Sequence, residues 1–342
     1  MIMTSLNNGI PPAGRILVTG SEGLIGGWVC KTLREQGYLV FGLDSNFTPE
    51  TASSQSIRCD ILDRTELLNV FRDLSPVGVV HLAARTDLNE TRDLTGYRAN
   101  TDGVSNVLAA VSETSSVERV IVTSSQLVCR LGLVPRDPQD FCPTTLYGQS
   151  KVLTEQITRE MDGGGRIWCL TRPTTVWGPG MSPHYQSMLR LIRRGFYFHC
   201  GRSKLLKSYA YAGNIAFQYW KLLTAPSDQI HRRLFYLADY EPLSLREYTK
   251  GLAKAMNAPS IRTLPIPFAR GLAWVGDALN LFGLSSFPFN SFRLGNILNE
   301  YRCDTDPIRE ISGDLPFSFA DGVEATAEWF LKKEELEREK SV

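Results

Sequence analysis

The stretch TGSEGLIGG, residues 19–27, follows the apolar run RILV and precedes an amphipathic segment, with Gly20, Gly23 and Gly26 spaced three apart. Glycine tolerates positive φ and carries no side chain, so backbone amides can approach a ligand closely. Where a strand gives way to a helix, the first helical amides are unpaired and carry the positive end of the dipole, which suits a pyrophosphate. In this reading Gly20 makes the turn, Gly23 allows the approach, and Gly26 lets the helix pack against the strand. A glycine triplet alone is weak evidence. Its place between strand and helix is what predicts a dinucleotide site.

The flanking pattern agrees. Apolar runs rich in β-branched residues recur at RILVTG (15–20), YLVFGLD (38–44), SIRCD (56–60), GVVHLAA (78–84), ERVIVTSS (118–125), RIWCLTRP (166–173) and RRLFYLAD (232–239). Helical periods lie between them, as in Leu24, Ile25, Trp28, Val29 and Leu33. Strands apolar throughout and separated by helices mark a parallel sheet covered on both faces. The chain is therefore predicted to be α/β, a doubly wound parallel sheet (Rossmann) of six or seven strands with a smaller C-terminal substrate-binding lobe. Asp44 ends the second strand, 24 residues after Gly20. A carboxylate there accepts both hydroxyls of an adenosine ribose and repels a 2′-phosphate. Ser45 and Asn46 follow it rather than arginine, which favours NAD over NADP. Asp60, ending the third strand, is within reach of the adenine in the same scheme.

Beyond residue 175 the rhythm breaks. WGPGMSP is followed by a helical run, QSMLRLIRRG, and SLREYTKGLAKAM opens with a capping box, Ser244 and Glu247. IPFARGLAWVGDALNLFGLSSFPF is apolar and aromatic enough to build an apolar pocket or to lie on a membrane surface. The expected division is a flexible arm at 1–13 and an NAD-binding domain at 14–175 with later returns near 208–239. A substrate-binding lobe takes 176–207 and 240–318. A C-terminal helix and tail, 319–342, is expected to fray where it becomes fully charged.

Bulk properties restrict the function classes. The 342 residues are 43% hydrophobic, and 37 Lys plus Arg face 36 Asp plus Glu. A near-zero balance argues against nucleic acid or an anionic membrane as main partner, while leaving room for a local basic cluster. Apolar runs fall short of the roughly 18–20 residues of a membrane span, so no integral membrane segment is expected. The start, MIMTSLNNGIPPAG, lacks the layout of a signal peptide. Seven dispersed cysteines without a C-x-x-C pair point to reduced thiols and a cytoplasmic protein. Four histidines, none at metal-ligand spacing, predict no metal site.

TTLYGQSKVLTEQI places Tyr147 and Lys151 four apart at a helix start, hence on one face. A phenol with a pKa near 10 is a poor base at neutral pH, but an ammonium one turn away stabilises the phenolate. The pair then shuttles a proton in alcohol–ketone interconversion. The hydroxyl run TSS, residues 123–125, ends the fifth strand, where ligands of a parallel sheet sit, so Ser125 can hold the substrate oxygen beside Tyr147.

With these residues in order, the sequence resembles the extended short-chain dehydrogenase/reductase family, which includes the NAD-dependent sugar-nucleotide epimerases and dehydratases. The likeness spans roughly residues 14 to 335. It rests on TGSEGLIGG, Asp44, CDILD, HLAA (81–84), Asn100 in YRANTDG, TSS, YGQSK, RPTTVWGPG and SYAYAGNIA (208–216). It implies Ser125, Tyr147 and Lys151 as catalytic residues. The implied NAD-binding set is Gly20, Gly23, Leu24, Ile25, Asp44, Asp60, Ile61, Leu82, Ala83, Ala84, Asn100, Tyr147, Lys151 and Pro173, with Thr174 beside the nicotinamide carboxamide. It also implies a homodimer built through segments 91–113 and 146–160, for which VLAAV (107–111) offers an apolar face. Two departures matter. Cys129 stands where relatives often have a tyrosine near the sugar. Gln126 and Leu127 stand where the dehydratases tend to have an Asp-Glu pair, and water elimination needs those acids.

Six cations, Arg190, Arg193, Arg194, Arg202, Lys204 and Lys207, fall within 18 residues. Arginine forks suit phosphate oxygens. Arg193 and Arg194 read better as a solvated helix face, and Arg202, Lys204 and Arg293 as diphosphate contacts. Arg85, Thr86, Gln126 and Thr175 complete the expected substrate set, while Phe196, Tyr197 and Phe198 could pack a base or fill the lobe. His81 reads as a packed structural group. The expected function is NAD-dependent 4-epimerisation of a nucleotide-diphosphate sugar through a keto sugar. The alternative is an NAD-dependent dehydrogenase or reductase of an apolar, hydroxysteroid-like or flavonoid-like alcohol. A non-catalytic nucleotide-binding protein is disfavoured by the intact Ser125, Tyr147 and Lys151.

Overall fold

The structure, a computed structural model, describes residues 10–11, 13–47, 53–88, 90, 92–133, 135–281 and 289–339. Most of the expected N-terminal arm (1–9 and 12), the last tail residues (340–342) and the 282–288 part of the aromatic stretch lie outside the described residues. Seven strands form one all-parallel sheet: β1 (Arg15–Thr19), β2 (Leu39–Asp44), β3 (Ser56–Arg58), β4 (Gly78–His81), β5 (Arg119–Thr123), β6 (Ile167–Pro173) and β7 (Arg233–Leu237). Their order is β7-β6-β5-β4-β1-β2-β3, the expected Rossmann winding, with the reversal between β1 and β4. Ligands of open parallel sheets bind beyond the strand ends at such a reversal.

Strand residues alternate between the two faces. Val18, Ile121 and Cys169 pack with Val29 and Leu33 of α1 (Leu24–Glu35) and with Ile215, Tyr219 and Leu222 of the later helix Ala212–Thr224. Leu17, Val79 and Val120 pack with α2 (Arg64–Leu74) and α3 (Asp102–Glu113) through Leu67, Phe71, Val104 and Leu108. Val107, Leu108, Ala110 and Val111 are fully buried there. The VLAAV face expected to join two subunits is instead consumed by the chain's own core.

Three strands end earlier than the apolar runs suggest. β3, an edge strand, keeps three residues. Just past His81, where β4 stops, the Leu82 amide is shared between Thr19 O at 3.1 Å and the Thr19 hydroxyl at 3.2 Å, and the Ala83 amide turns to that hydroxyl at 3.2 Å. β5 stops at Thr123 because Ser125 Oγ accepts from Leu127 N and starts a single turn at Gln126–Val128. All three ends lie on the ligand-facing edge, where leaving the ladder frees side chains for other partners.

Behind that edge runs α4 (Leu146–Glu160). Its start lies so close to the turn after β5 that a Cβ at Gly148 would meet Leu127 O at 2.3 Å, which explains the glycine of YGQSK. One turn beyond Lys151, Glu155 forms a fully buried bidentate pair with Arg172 of β6 at 2.7 and 2.8 Å. Arg172 also donates to Pro138 O at 2.6 Å and to Tyr236 Oη of β7 at 2.9 Å. A single guanidinium thus joins α4, two strands and the loop 129–142.

The rest of the chain forms a smaller lobe around α5 (Pro183–Arg193) and α6 (Leu245–Ala255), the latter with its capping box in place. The last helix, α9 (Phe319–Glu339), packs Val323, Ala327 and Phe330 against Trp177, Tyr211 and Leu252. Its charged end stays helical through Glu339, contrary to the expected fraying, and Glu334 there holds Arg190 and Arg193. Between them lie α7 (Ile266–Leu281) and α8 (Ser291–Leu298).

Removing one partner of a buried pair strands the other charge, at a cost of about 3–5 kcal/mol. Glu155→Gln should therefore lower stability in urea denaturation by about that amount. The apolar double variant Glu155→Leu with Arg172→Met should lose far less, because no charge is left buried. Equal losses in the two proteins would show that the pair is not the source of the cost.

Candidate active site

The glycine turn has the shape its sequence requires. Gly20 sits at φ +72, and a Cβ there would meet Ala83 N at 2.6 Å. A Cβ at Gly26 would come 2.0 Å from Gly20 O, so the helix packs at backbone contact. Gly23, the N-cap of α1, offers no side-chain cap, which leaves the amides at Leu24 and Ile25 facing outward for a ligand. At the end of β2 the Asp44 carboxylate accepts from Glu22 N at 3.1 Å and Asn46 N at 3.2 Å. These two bonds hold the carboxylate beside the glycine turn. A diphosphate cradle with a ribose-diol acceptor at its far end is what the adenosine half of NAD needs, and these residues fit it. Asp60 is exposed and accepts from Leu62 N, and Ile61 is buried beneath Gly103. Leu82, Ala83 and Ala84 are half-buried beside Gly20.

Thr19 Oγ1, which accepts the Leu82 and Ala83 amides, lies 2.7 Å from His81 Nδ1. Burial, with the Lys151 charge adding to it, pushes His81 down to about 3. We assign the neutral ring as acceptor of the Thr19 proton, so His81 is structural, as its sequence context predicts. Asn100, fully buried, clamps the Arg85 backbone: its Oδ1 accepts from Arg85 N at 2.8 Å. Its Nδ2 donates to Arg85 O at 3.0 Å and to Ser150 Oγ at 2.8 Å. Asn100 therefore ties the segment after β4 to α4.

Ser125, Tyr147 and Lys151 come together. All three are at least nine-tenths buried. Burial pushes the Tyr147 phenol up to about 12, and a hydrogen bond with the Ser125 side chain partly reverses this. Lys151 Nζ donates to Thr123 O at 2.7 Å. Burial pushes its pKa down to about 8, with Glu155 one turn away acting in the opposite sense. Around them, Ser124 Oγ and Thr174 Oγ1 are buried without a hydrogen-bond partner among the described residues. Orphaned hydroxyls where β5 and β6 end suit a bound polar group such as the nicotinamide end of the cofactor.

The expected substrate residues divide. Gln126 Nε2 reaches Thr175 Oγ1 at 3.5 Å, so these two share one wall. The Arg85 guanidinium pairs with Asp87 at 2.7 Å and Glu90 at 3.4 Å and donates to Gly96 O. Thr86, Arg202 and Lys204 are exposed. Arg293 is half-buried on α8, where Asn290 caps its backbone amide. The basic run is split: Arg190 and Arg193 pair with Glu334 of α9, and the Lys207 amine donates to Asn296 O with burial pushing its pKa down to about 8. Cys129, in the position often held by tyrosine, is buried with its thiol on Asp140 O at 3.1 Å. A small cleft beyond is lined by Tyr197, Phe198, His199, Cys200, Arg246 and Leu298. Phe196 points outward.

Reading the sequence missed Glu155 and Arg172. Their signal was present: Tyr147, Lys151 and Glu155 repeat at four on one helix stripe, and Arg172 interrupts an apolar strand. It missed His199 too, a buried ring whose Nε2 has no partner among the described residues.

The model of the NAD dependent epimerase/dehydratase family matches residues 16–238. The chain is 24% identical, over 92% of its length and 94% of the relative's, to the N-acetyl-alpha-D-glucosaminyl-diphospho-ditrans,octacis-undecaprenol 4-epimerase of Escherichia coli O157:H7. It is 22% identical to a 3 beta-hydroxysteroid dehydrogenase/Delta 5-->4-isomerase of Mycobacterium tuberculosis, over 71% of this chain and 69% of that one. Among solved structures it is similar to the Thermus thermophilus UDP-glucose 4-epimerase in complex with NAD, with a TM-score of 0.71 at 18% identity, covering 93% and 99% of the two chains.

The buried lysine has a consequence for stability. Its pKa falls from an ordinary 10.5 to about 8 on folding. Between those pH values the unfolded chain binds more protons, so stability rises with pH through that window, and the penalty is fully present below it. The displacement amounts to about 3 kcal/mol, against about 1 kcal/mol for the bond to Thr123 O. Lys151→Met should therefore stabilise the cofactor-free protein at pH 7 by on the order of 2 kcal/mol in chemical denaturation. The gain should shrink as pH is raised from 8 towards 10.5; a gain independent of pH would mean the lysine is not buried as a cation.

Proposed function

Because the chain belongs to the NAD dependent epimerase/dehydratase family and is an NAD-dependent enzyme, we propose that it is a 4-epimerase of a diphosphate-linked sugar, first of all a nucleotide-diphosphate sugar. When bound, NAD supplies a reversible hydride acceptor for the sugar's alcohol–ketone interconversion. The glycine turn with its helix amides would hold the diphosphate, Asp44 the adenosine ribose, Lys151 the nicotinamide ribose, and Pro173 with Thr174 the carboxamide.

The observation that carries this reading is one buried phenol beside Ser125 and one helical turn from a buried ammonium, an arrangement that suits a group moving a substrate proton. Tyr147 takes the proton of the sugar hydroxyl and returns it after the sugar has presented its other face. Ser125 shares the oxygen during the transfer. A pKa near 12 would make the phenol too weak an acid to ionise at neutral pH, so Lys151 must keep its charge while Tyr147 acts. Glu155 favours that charge, and Arg172 holds Glu155 in place. With Gln126 and Leu127 after Ser125, the carboxylates for water elimination are missing, which favours epimerisation over dehydration. Thr175 and Gln126 would line the sugar, and Arg202, Lys204 and Arg293 the diphosphate. The sheet would carry the cofactor and the lobe the substrate. Similarity to the E. coli 4-epimerase runs through both. It also raises a lipid diphosphate as the sugar's carrier.

A second reading, dehydrogenation of an apolar alcohol, is favoured by the apolar α7 and by the likeness to the hydroxysteroid dehydrogenase. The two separate in one assay. With NAD and a panel of UDP-, GDP- and dTDP-sugars, a 4-epimer should form, seen by NMR, without lasting NADH absorbance. NADH accumulating with a ketone or acid product overturns the epimerase reading. Tyr147→Phe should bind NAD as the parent does, measured by fluorescence titration, and turn over at least about 100-fold more slowly.

A further inference from the structure

The outer face of α7 is built the wrong way round for a helix on a water-soluble lobe. Its inner side packs Ala269 and Ala273 with Leu294 of α8, over Cys200 and Leu298 of the cleft. Its outer side carries Phe268, Trp274 and Val275, exposed by 69%, 70% and 52%. At 100° per residue these fall on one arc with Pro267, Gly271 and Ala278, and Arg270 marks its edge. A Cβ on Gly271 would meet nothing within 4 Å among the described residues, so none of them covers this arc there. Exposed apolar patches with a polar edge mark an interaction surface.

We propose that this face of α7 docks on a lipid bilayer bearing anionic headgroups. Two observations choose the bilayer over a protein partner. The first is charge. The whole chain is near neutral, yet residues 258–298 hold Arg262, Arg270 and Arg293 against a single acid, Asp277. Asp277 is turned towards the helix junction, where it accepts from Ser291 N at 3.1 Å, while Arg262 and Arg270 are exposed. The local excess is the complement of an anionic surface. The second is residue type: tryptophan and phenylalanine on one face with arginine beside them is the composition of a helix lying in the headgroup region. Among the described residues no helix is long and apolar enough to cross a membrane, so the contact is peripheral. It would bring the cleft under α7 to the bilayer surface, where a sugar on a lipid diphosphate would be presented. The docking itself does not rest on that choice of substrate.

The test is flotation of the full chain with vesicles of phosphatidylcholine alone or mixed with phosphatidylglycerol. The protein should float with the mixed vesicles and less with the neutral ones, and salt should weaken it. Phe268→Ser with Trp274→Ser should cut the partition at least about tenfold with an unchanged circular dichroism spectrum, since both side chains are already in solvent. Arg270→Glu should remove most of the preference for the anionic lipid. Trp274→Phe, which stays apolar, should keep binding. A chain that never floats, or a double serine variant that floats as well as the parent, overturns the proposal. So does a dimer in vesicle-free sedimentation that the double variant dissolves, which would make a second copy the occupant. None of these readouts uses turnover, so failure of the epimerase reading leaves the result intact.

Discussion

The site depends on one buried charge pair. Glu155 and Arg172 have no exposed side-chain surface, and taking both out of water costs several kcal/mol per ion before any return. What makes the arrangement tolerable is saturation. The guanidinium gives two bonds to Glu155, one to Pro138 O and one to Tyr236 Oη, and lies over the rings of Phe141 and Tyr236. Burial is the largest single influence and opposes the arginine's charge, but the Glu155 and Tyr236 contacts together outweigh it and hold the pKa above the ordinary value. The pair fixes the rotation of α4 about its own axis. A helix rotated to satisfy Glu155 presents Lys151 and Tyr147, one and two turns earlier, to the ends of β5 and β6.

That geometry buries two titratable groups at the strand ends. Lys151 and Tyr147 are both displaced towards neutrality by burial, the lysine down and the phenol up. His81, neutral beside them, adds no charge. A ligand that brings polar or anionic groups to the strand ends relieves the cation and pairs the hydroxyls of Ser124 and Thr174. In the proposed mechanism, binding and activation of the proton shuttle would be one event, since the stabilised ammonium is also what lowers the phenol.

The sheet was legible because its determinants are local. The glycine turn requires a positive φ at residue 20 and backbone contact at 26, and both follow from which atoms the residues lack. Ser125, Tyr147 and Lys151 could be grouped because strand ends and a four-residue spacing define neighbours without a structure. The partners of charged side chains, near or far in sequence, could not be read. Arg85 meets Asp87 and Glu90, five residues away at most, yet a sugar contact seemed as natural for it. Arg190 and Arg193 find Glu334 more than a hundred residues later, where the sequence shows only a charged tail. The apolar VLAAV run likewise has no label saying whether its own sheet or another subunit will cover it.

The same asymmetry separates the two halves of the molecule. The proposed proton transfer at the sheet edge would tolerate little displacement, and its residues sit on strands and a helix locked by Asn100, Arg172 and the close approach at Gly148. Beyond residue 175 cations are divided among the last helix, a buried carbonyl and solvent, and the surface facing outward on α7 is apolar. On the proposed division of labour, substrate identity would be set where the sequence pattern is least regular. One cofactor half with a rigid shuttle could then serve sugars on nucleotides, sugars on lipids or apolar alcohols, because only the lobe would have to change what it excludes from water.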